Sequence, residues 1–223
     1  LRLLDEDPGW FVRAERAGLV DAGDVLTVPQ LLHDDMLSEA QKRASRRALY
    51  PSVPEAESAT WPVAPLSVAE RALDLVLALN PRAVPLLLGG DHSAAWPAVA
   101  ALHRARPGLA VVQVDAHTDL LEERLGVRYC YGTWSFRANE LVGRGGRLVQ
   151  VGIRAMTPQQ RAQADRFGVE AIEMSAWRAD LQVAADGPVY VSLDLDALDP
   201  AFAPGVSHPE PGGLSTRDVI GFL

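Results

Sequence analysis

The sequence predicts an α/β fold built on a parallel sheet with helices on both faces. Short, wholly apolar runs recur along the chain, segments of helical period separate them, and 48% of the 223 residues are hydrophobic. A strand buried on both faces reads as a continuous apolar run, because neither side meets water. That much apolar material in that length buries the core of one ordinary domain, so one domain over residues 1–223 is expected.

In order along the chain, residues 30–47 support one or two helices, and residues 51–66, with Pro51, Pro54, Pro62 and Pro65, read as an extended surface connection. Ser67-Val68-Ala69-Glu70 has capping-box spacing, and Leu73, Val76, Leu77 and Leu79 continue a helix until Asn80-Pro81 stops it. Ala83 to Leu88 reads as a strand ending in Gly89-Gly90, followed by a helix from Ala94 to about Arg106 and a strand from Leu109 to Val114. The alternation resumes with a strand Arg147 to Ile153, a helix Pro158 to Phe167, a strand Val169 to Ile172, a short helix, and a strand Val189 to Leu195. Such a sheet places ligands beyond the carboxyl ends of its strands.

Composition narrows the function. A net charge of −8 argues against a nucleic-acid partner, which needs a basic footprint, and mildly favours cationic ones. Cys130 is the only cysteine, which rules out an intrachain disulfide and makes a reducing compartment the simpler reading, with the cytoplasm as default. No apolar run approaches the ~20 residues of a membrane helix. Leu1 to Phe11 carries Asp5, Glu6 and Asp7 and does not read as a signal peptide.

The chemistry concentrates where apolar strands end. Asp115-Ala116-His117-Thr118-Asp119 puts metal-ligand side chains at alternate positions, which share one face of an extended chain. Asp194-Leu195-Asp196 repeats the pattern on another strand, with Asp199 just beyond, and Gly89-Gly90-Asp91-His92-Ser93 adds His92 from a tight turn. Unpaired carboxylates buried there would cost several kcal/mol each, a penalty that divalent cations remove. His92, Asp115, His117, Asp119, Asp194 and Asp196 thus form an oxygen-rich set with two imidazoles. It suits a pair of manganese ions better than structural zinc, with nickel, cobalt or iron open on ligand type alone.

These residues resemble the ureohydrolases: arginase, agmatinase, guanidinobutyrase and formiminoglutamase. The likeness runs from Leu86 to about Ser215, through Gly89 to Ser93, Asp115 to Asp119, Val151-Gly152-Ile153-Arg154 and Ser192 to Pro200. Ala201-Phe202-Ala203-Pro204-Gly205 and Pro209-Glu210-Pro211-Gly212-Gly213-Leu214 are similar to the agmatinase branch in particular. The resemblance implies a three-layer α/β/α fold around a mainly parallel eight-stranded sheet, assembled as a homotrimer or homohexamer. It implies that His92, Asp115, Asp119 and Asp194 hold one Mn2+ and Asp115, His117, Asp194 and Asp196 the other. The implied reaction is cleavage of a C–N bond in a small linear guanidino compound (agmatine, guanidinobutyrate or arginine) by a hydroxide shared between the ions, with urea and an amine as products. Asp119 would transfer the proton.

Two departures from the family pattern qualify this. Where the family usually has a proton-shuttling histidine, the chain reads Cys130-Tyr131-Gly132-Thr133, and a phenol exchanges protons near neutral pH less readily than an imidazole. His208 is then the alternative shuttle; hydrolysis of a formimino substrate, or metal-dependent ligand binding with weak turnover, are the alternative functions. The family also continues into a strand bearing a guanidinium-binding glutamate, so the domain is expected to lack its C-terminal part. Substrate contacts are expected from Glu122, Arg124, Arg128 and Tyr131. His33 and His103 read as exposed or packed, Cys130 as core, and Trp96, Trp134 and Phe136 as packing.

Overall fold

The computed structural model describes residues 13–14, 16–25 and 33–223. Four parallel strands make the sheet: β1 (Ala110–Val114), β2 (Leu148–Ile153), β3 (Glu170–Glu173) and β4 (Val189–Leu193), in the order β3-β2-β1-β4. The described residues therefore contain four of the eight strands that the family resemblance implies. Among the described residues the helices with full bounds are α1 (Glu39–Leu49), α2 (Glu55–Ser58), α3 (Pro65–Leu79), α4 (Ala95–Ala105), α5 (Trp134–Val142), α6 (Pro158–Phe167) and α7 (Thr216–Phe222). No described helix is long and apolar enough to cross a membrane.

Alternation along each strand sends its apolar side chains to two cores. On one face Val111 and Leu148 pack with Val99 of α4, Trp134, Phe136 and Ala138 of α5, and Ala164 and Phe167 of α6. On the other, Val112, Val114, Val149 and Val151 meet Leu198, Leu214 and Val219 of α7. In-register pairing sets Val114 beside Val151 and Leu193, so the carboxyl ends of β1, β2 and β4 lie level and their loops converge.

Three sequence expectations are corrected. Ala83 to Leu88 forms no strand: Val84, Leu86 and Leu88 are 92%, 76% and 75% exposed. An extended run becomes a strand only when a neighbour pairs its backbone, and β4, the sheet edge nearest in the order, leaves Val189, Val191 and Leu193 about half-exposed. The α3 helix starts at Pro65 rather than at a capping box, because proline suits the first helical position; Ser67 Oγ instead accepts from Asp34 N at 2.9 Å. Residues 51–66 are not wholly extended, since α2 forms inside them.

Candidate metal centre

Local bonds aim the acidic and imidazole groups of each contributing loop. Asp91 Oδ1 caps the single turn His92–Ala94 by accepting from Ser93 N at 2.8 Å, and Asp194 Oδ1 caps Leu195–Ala197 by accepting from Asp196 N at 2.9 Å. Asp115 Oδ1 takes His117 N at 2.7 Å. A β-carbon on Gly89 would fall 2.7 Å from Ala94 Cβ, so the turn that delivers His92 requires glycine. Asp119 sits at φ +48, a left-handed conformation that aspartate tolerates better than most residues and that recurs at functional sites.

The side chains converge. The ligand atoms of His92, Asp115 and Asp119 lie within 4.8 Å of one another, as do those of Asp115, His117 and Asp196, and Asp115 belongs to both groups. His92 Nδ1 has Asp115 Oδ2 at 3.0 Å, Asp194 Oδ2 at 3.1 Å and Asp119 Oδ2 at 3.4 Å. Yet that buried nitrogen makes no hydrogen bond of acceptable geometry. Three carboxylate oxygens from two strand ends crowd one lone pair, an arrangement that suits a shared cation better than a shared proton. The opposite ring atom, His92 Nε2, meets Ser192 Oγ at 2.8 Å, which leaves Nδ1 for a metal. His117 Nδ1 lies 3.0 Å from Asp196 Oδ2, and its Nε2 faces Glu210 Oε1 at 3.6 Å. The donor set fits two divalent ions.

Without cations the cluster holds protons instead. Burial pushes His92 down, but Asp115, Asp119 and Asp194 outweigh it and carry the imidazole well above its ordinary value. Asp115 and Asp196 raise His117 to about 10. Burial opposes ionisation of Asp115, yet His117 and His92 hold it well below the carboxylate range. Burial raises Asp119 to about 6, against the pull of His92, and also raises Asp196.

The other predicted site residues divide. The His208 ring stands 6.2 Å from His117 and 5.8 Å from Tyr131, and the Arg124 guanidinium lies 5.0 Å over Tyr131. These four form a row leading away from the cluster. Arg128 turns elsewhere and donates to Asp35 O at 2.6 Å, while Glu122 is exposed and its carbonyl accepts from Arg137. Asp199 spends both carboxylate oxygens on the N–H groups of Ala201, Gly212 and Gly213. Cys130 is buried, and His33 stacks on Tyr129 at 4.2 Å.

Sequence reasoning missed several contributors. Trp134 is buried packing, but its Nε1 also donates to Asp119 Oδ2 at 3.0 Å and its ring lies 4.6 Å from His92. Arg154 reaches the carbonyls of the Asp196–Leu198 turn and of Glu210. Arg154 stands in the Val151-Gly152-Ile153-Arg154 motif of the resemblance, but the motif by itself assigns it no role.

Comparison with known proteins identifies the family. The model of the arginase family matches residues 6–223. Arginase 1, mitochondrial, of Arabidopsis thaliana is 41% identical over 71% of this chain and 48% of its own length. Agmatinase, mitochondrial, of Gallus gallus is 40% identical over 61% of this chain and 44% of its own. The crystal structure of formimidoylglutamase from Bacillus subtilis superposes with a TM-score of 0.63 at 29% identity, covering 70% of this chain and 52% of that one. The chain spans about half the length of the curated relatives it matches. On the family match and the shared fold, the chain belongs to the arginase family.

Proposed function

We propose that this chain carries the metal centre of a binuclear manganese hydrolase that cleaves a C–N bond in a small linear guanidino compound. The observation that carries the reading is the pair of ligand groups sharing Asp115. His92, Asp115, Asp119 and Asp194 would hold one ion, and Asp115, His117, Asp194 and Asp196 the other. Bound there, two divalent ions would lower the pKa of bound water and so supply hydroxide near neutral pH.

The protein's own groups do the rest. Asp119, whose carboxylate sits within reach of His92 and Asp115 in the cluster, is suited to take a proton from the nucleophile and pass it to the departing amine. Trp134 Nε1 fixes the Asp119 carboxylate while it does so. His208 is the proposed shuttle to solvent: Ser207 Oγ lies 3.1 Å from its Nδ1, and its ring lies edge-on to His117 at 6.2 Å and tilted against Tyr131 at 5.8 Å. Tyr131 and Arg124 would line the approach, and Arg124 offers a cation to a substrate carboxylate. Tyr131 in the family's histidine position supports a second reading, hydrolysis of a formimino substrate.

The test is a metal count on the purified protein, then urea release from arginine, agmatine and guanidinobutyrate, and formamide release from formiminoglutamate. Two Mn2+ per chain with urea from one guanidino compound is expected. Formamide alone would favour the second reading. Two Mn2+ with no product from any compound would overturn hydrolysis.

A further inference from the structure

We infer that a buried row of neutral polar side chains, Gln150, Gln113 and Ser192, with Ser135 above it, forms the floor of the metal centre and orients its ligands. The inference rests on the binuclear reading above and assigns the residues beneath it. Gln113 of β1 is the in-register partner of Gln150 on β2 and of Ser192 on β4, so the three cross the sheet in one line, two residues before Asp115. Gln113, Gln150 and Ser135 are fully buried and Ser192 is 6% exposed. An apolar strand interior would be expected here; the Gln113 amide is bonded at both its ends, whereas Gln150 bonds through Nε2 and its buried Oε1 has no partner among the described residues.

The bonds run in one direction. Gln113 Nε2 donates to Asp115 Oδ2 at 2.7 Å and to His117 O at 3.2 Å. The ionised Asp115 carboxylate and the carbonyl both only accept, so the amide nitrogen must face them and Gln113 Oε1 must point away. There it accepts from Ser135 Oγ at 2.7 Å and from Gln150 Nε2 at 2.7 Å. Gln150 Nε2 also donates to Thr118 O at 2.5 Å, within the loop that delivers Asp119. At the other end of the row, Ser192 Oγ holds His92 Nε2.

The row therefore touches both ligand groups, but unequally. Gln113 sets the plane of Asp115, the residue common to both, whereas Ser192 sets the ring of His92, which belongs to one. Removing partners that orient ligands costs about 10- to 100-fold in metal affinity. Gln113 and Ser192 are thus positioning residues, acting through Asp115 and His92.

The experiment is Mn2+ titration calorimetry, with the EPR signature of coupled Mn2+ pairs, on the whole purified protein and on Gln113→Met, Ser135→Ala and Ser192→Ala. Circular dichroism identifies the variants that fold. Gln113→Met should weaken both Mn2+ steps by about 10- to 100-fold and lose the coupled signal. Ser192→Ala should weaken one step only, and Ser135→Ala should weaken both by less than Gln113→Met. If Gln113→Met does not fold, Ser135→Ala decides the Gln113 arm. Folded variants with wild-type affinities and signal would overturn the inference. A wild-type protein that takes up no Mn2+ would instead overturn the binuclear reading, and the inference with it.

Discussion

Replacing Arg154 by methionine should unfasten the loop that carries Asp196. The guanidinium donates to six backbone carbonyls: Gly152, Asp196, Ala197, Leu198, Glu210 and Pro211. The short ones run from Nη2, 2.7 Å to Asp196 O and 2.6 Å to Glu210 O. Burial lowers the pKa of Arg154, opposed by Asp196, Glu210, Asp199 and Asp115, and a guanidinium stays charged regardless. A hydrogen bond to a charged group contributes about 1.5–3 kcal/mol. Counting only the two short bonds gives about 3–6 kcal/mol, and because Arg154 is only half-buried and water can reach some carbonyls, the lower end is expected. Ala197 O is least affected, since it keeps Leu214 N at 3.0 Å. With an m-value of about 2 kcal/mol per molar urea, the unfolding midpoint should fall by about 1.5 M. Manganese affinity should fall as well, because one of the two carbonyls held at short distance, Asp196 O, belongs to a proposed ligand. A midpoint within about 0.2 M of wild type, with unchanged Mn2+ affinity, would refute the reasoning.

Four further outcomes are expected. Manganese uptake should release protons, and apparent affinity should climb with pH towards about 10, because His117 carries a proton until then in the metal-free protein; calorimetry in buffers of different ionisation enthalpy reads this. The sign for stability is opposite: the raised His117 contributes fully below its unfolded value near 6.5 and loses that contribution as pH rises through about 10, so chelated protein should melt at progressively lower temperature across that window. Gly213→Ala should destabilise by about 1–3 kcal/mol, since its β-carbon would fall 2.5 Å from Arg154 Nη2 and 2.6 Å from Asp199 N. Gly221→Ala, in α7 with open space around it, should instead stabilise by about 0.5 kcal/mol, and thermal melts of the pair separate crowding from backbone entropy. His208→Asn should change the pH-rate profile of the metal-loaded protein; an unaltered profile would end the shuttle proposal.

Much of the centre was legible before any coordinates. Asp115, His117 and Asp119 alternate at the end of an apolar run, and strand geometry alone puts such residues on one side. Asp194 and Asp196 also alternate at the end of an apolar run, though the turn Leu195–Ala197 rather than a strand sets them, and a glycine pair before His92 announces a tight turn. Local pattern failed where the outcome depended on a neighbour. Ala83 to Leu88 is as apolar as β1, but its backbone has no paired strand among the described residues.

By itself the sequence determined the alternation of strands and helices, the charge-rich strand ends and the resemblance that named the family, because each is written in residue type and short-range spacing. Only the tertiary structure decided that Asp115 is common to two ligand groups, that Arg124 and Tyr131 continue a row from His208 while Arg128 turns to Asp35, and that glutamines in apolar strands meet in register beneath the metal centre. Those facts depend on groups far apart along the chain, and it is sheet register and loop closure that set the distances between them.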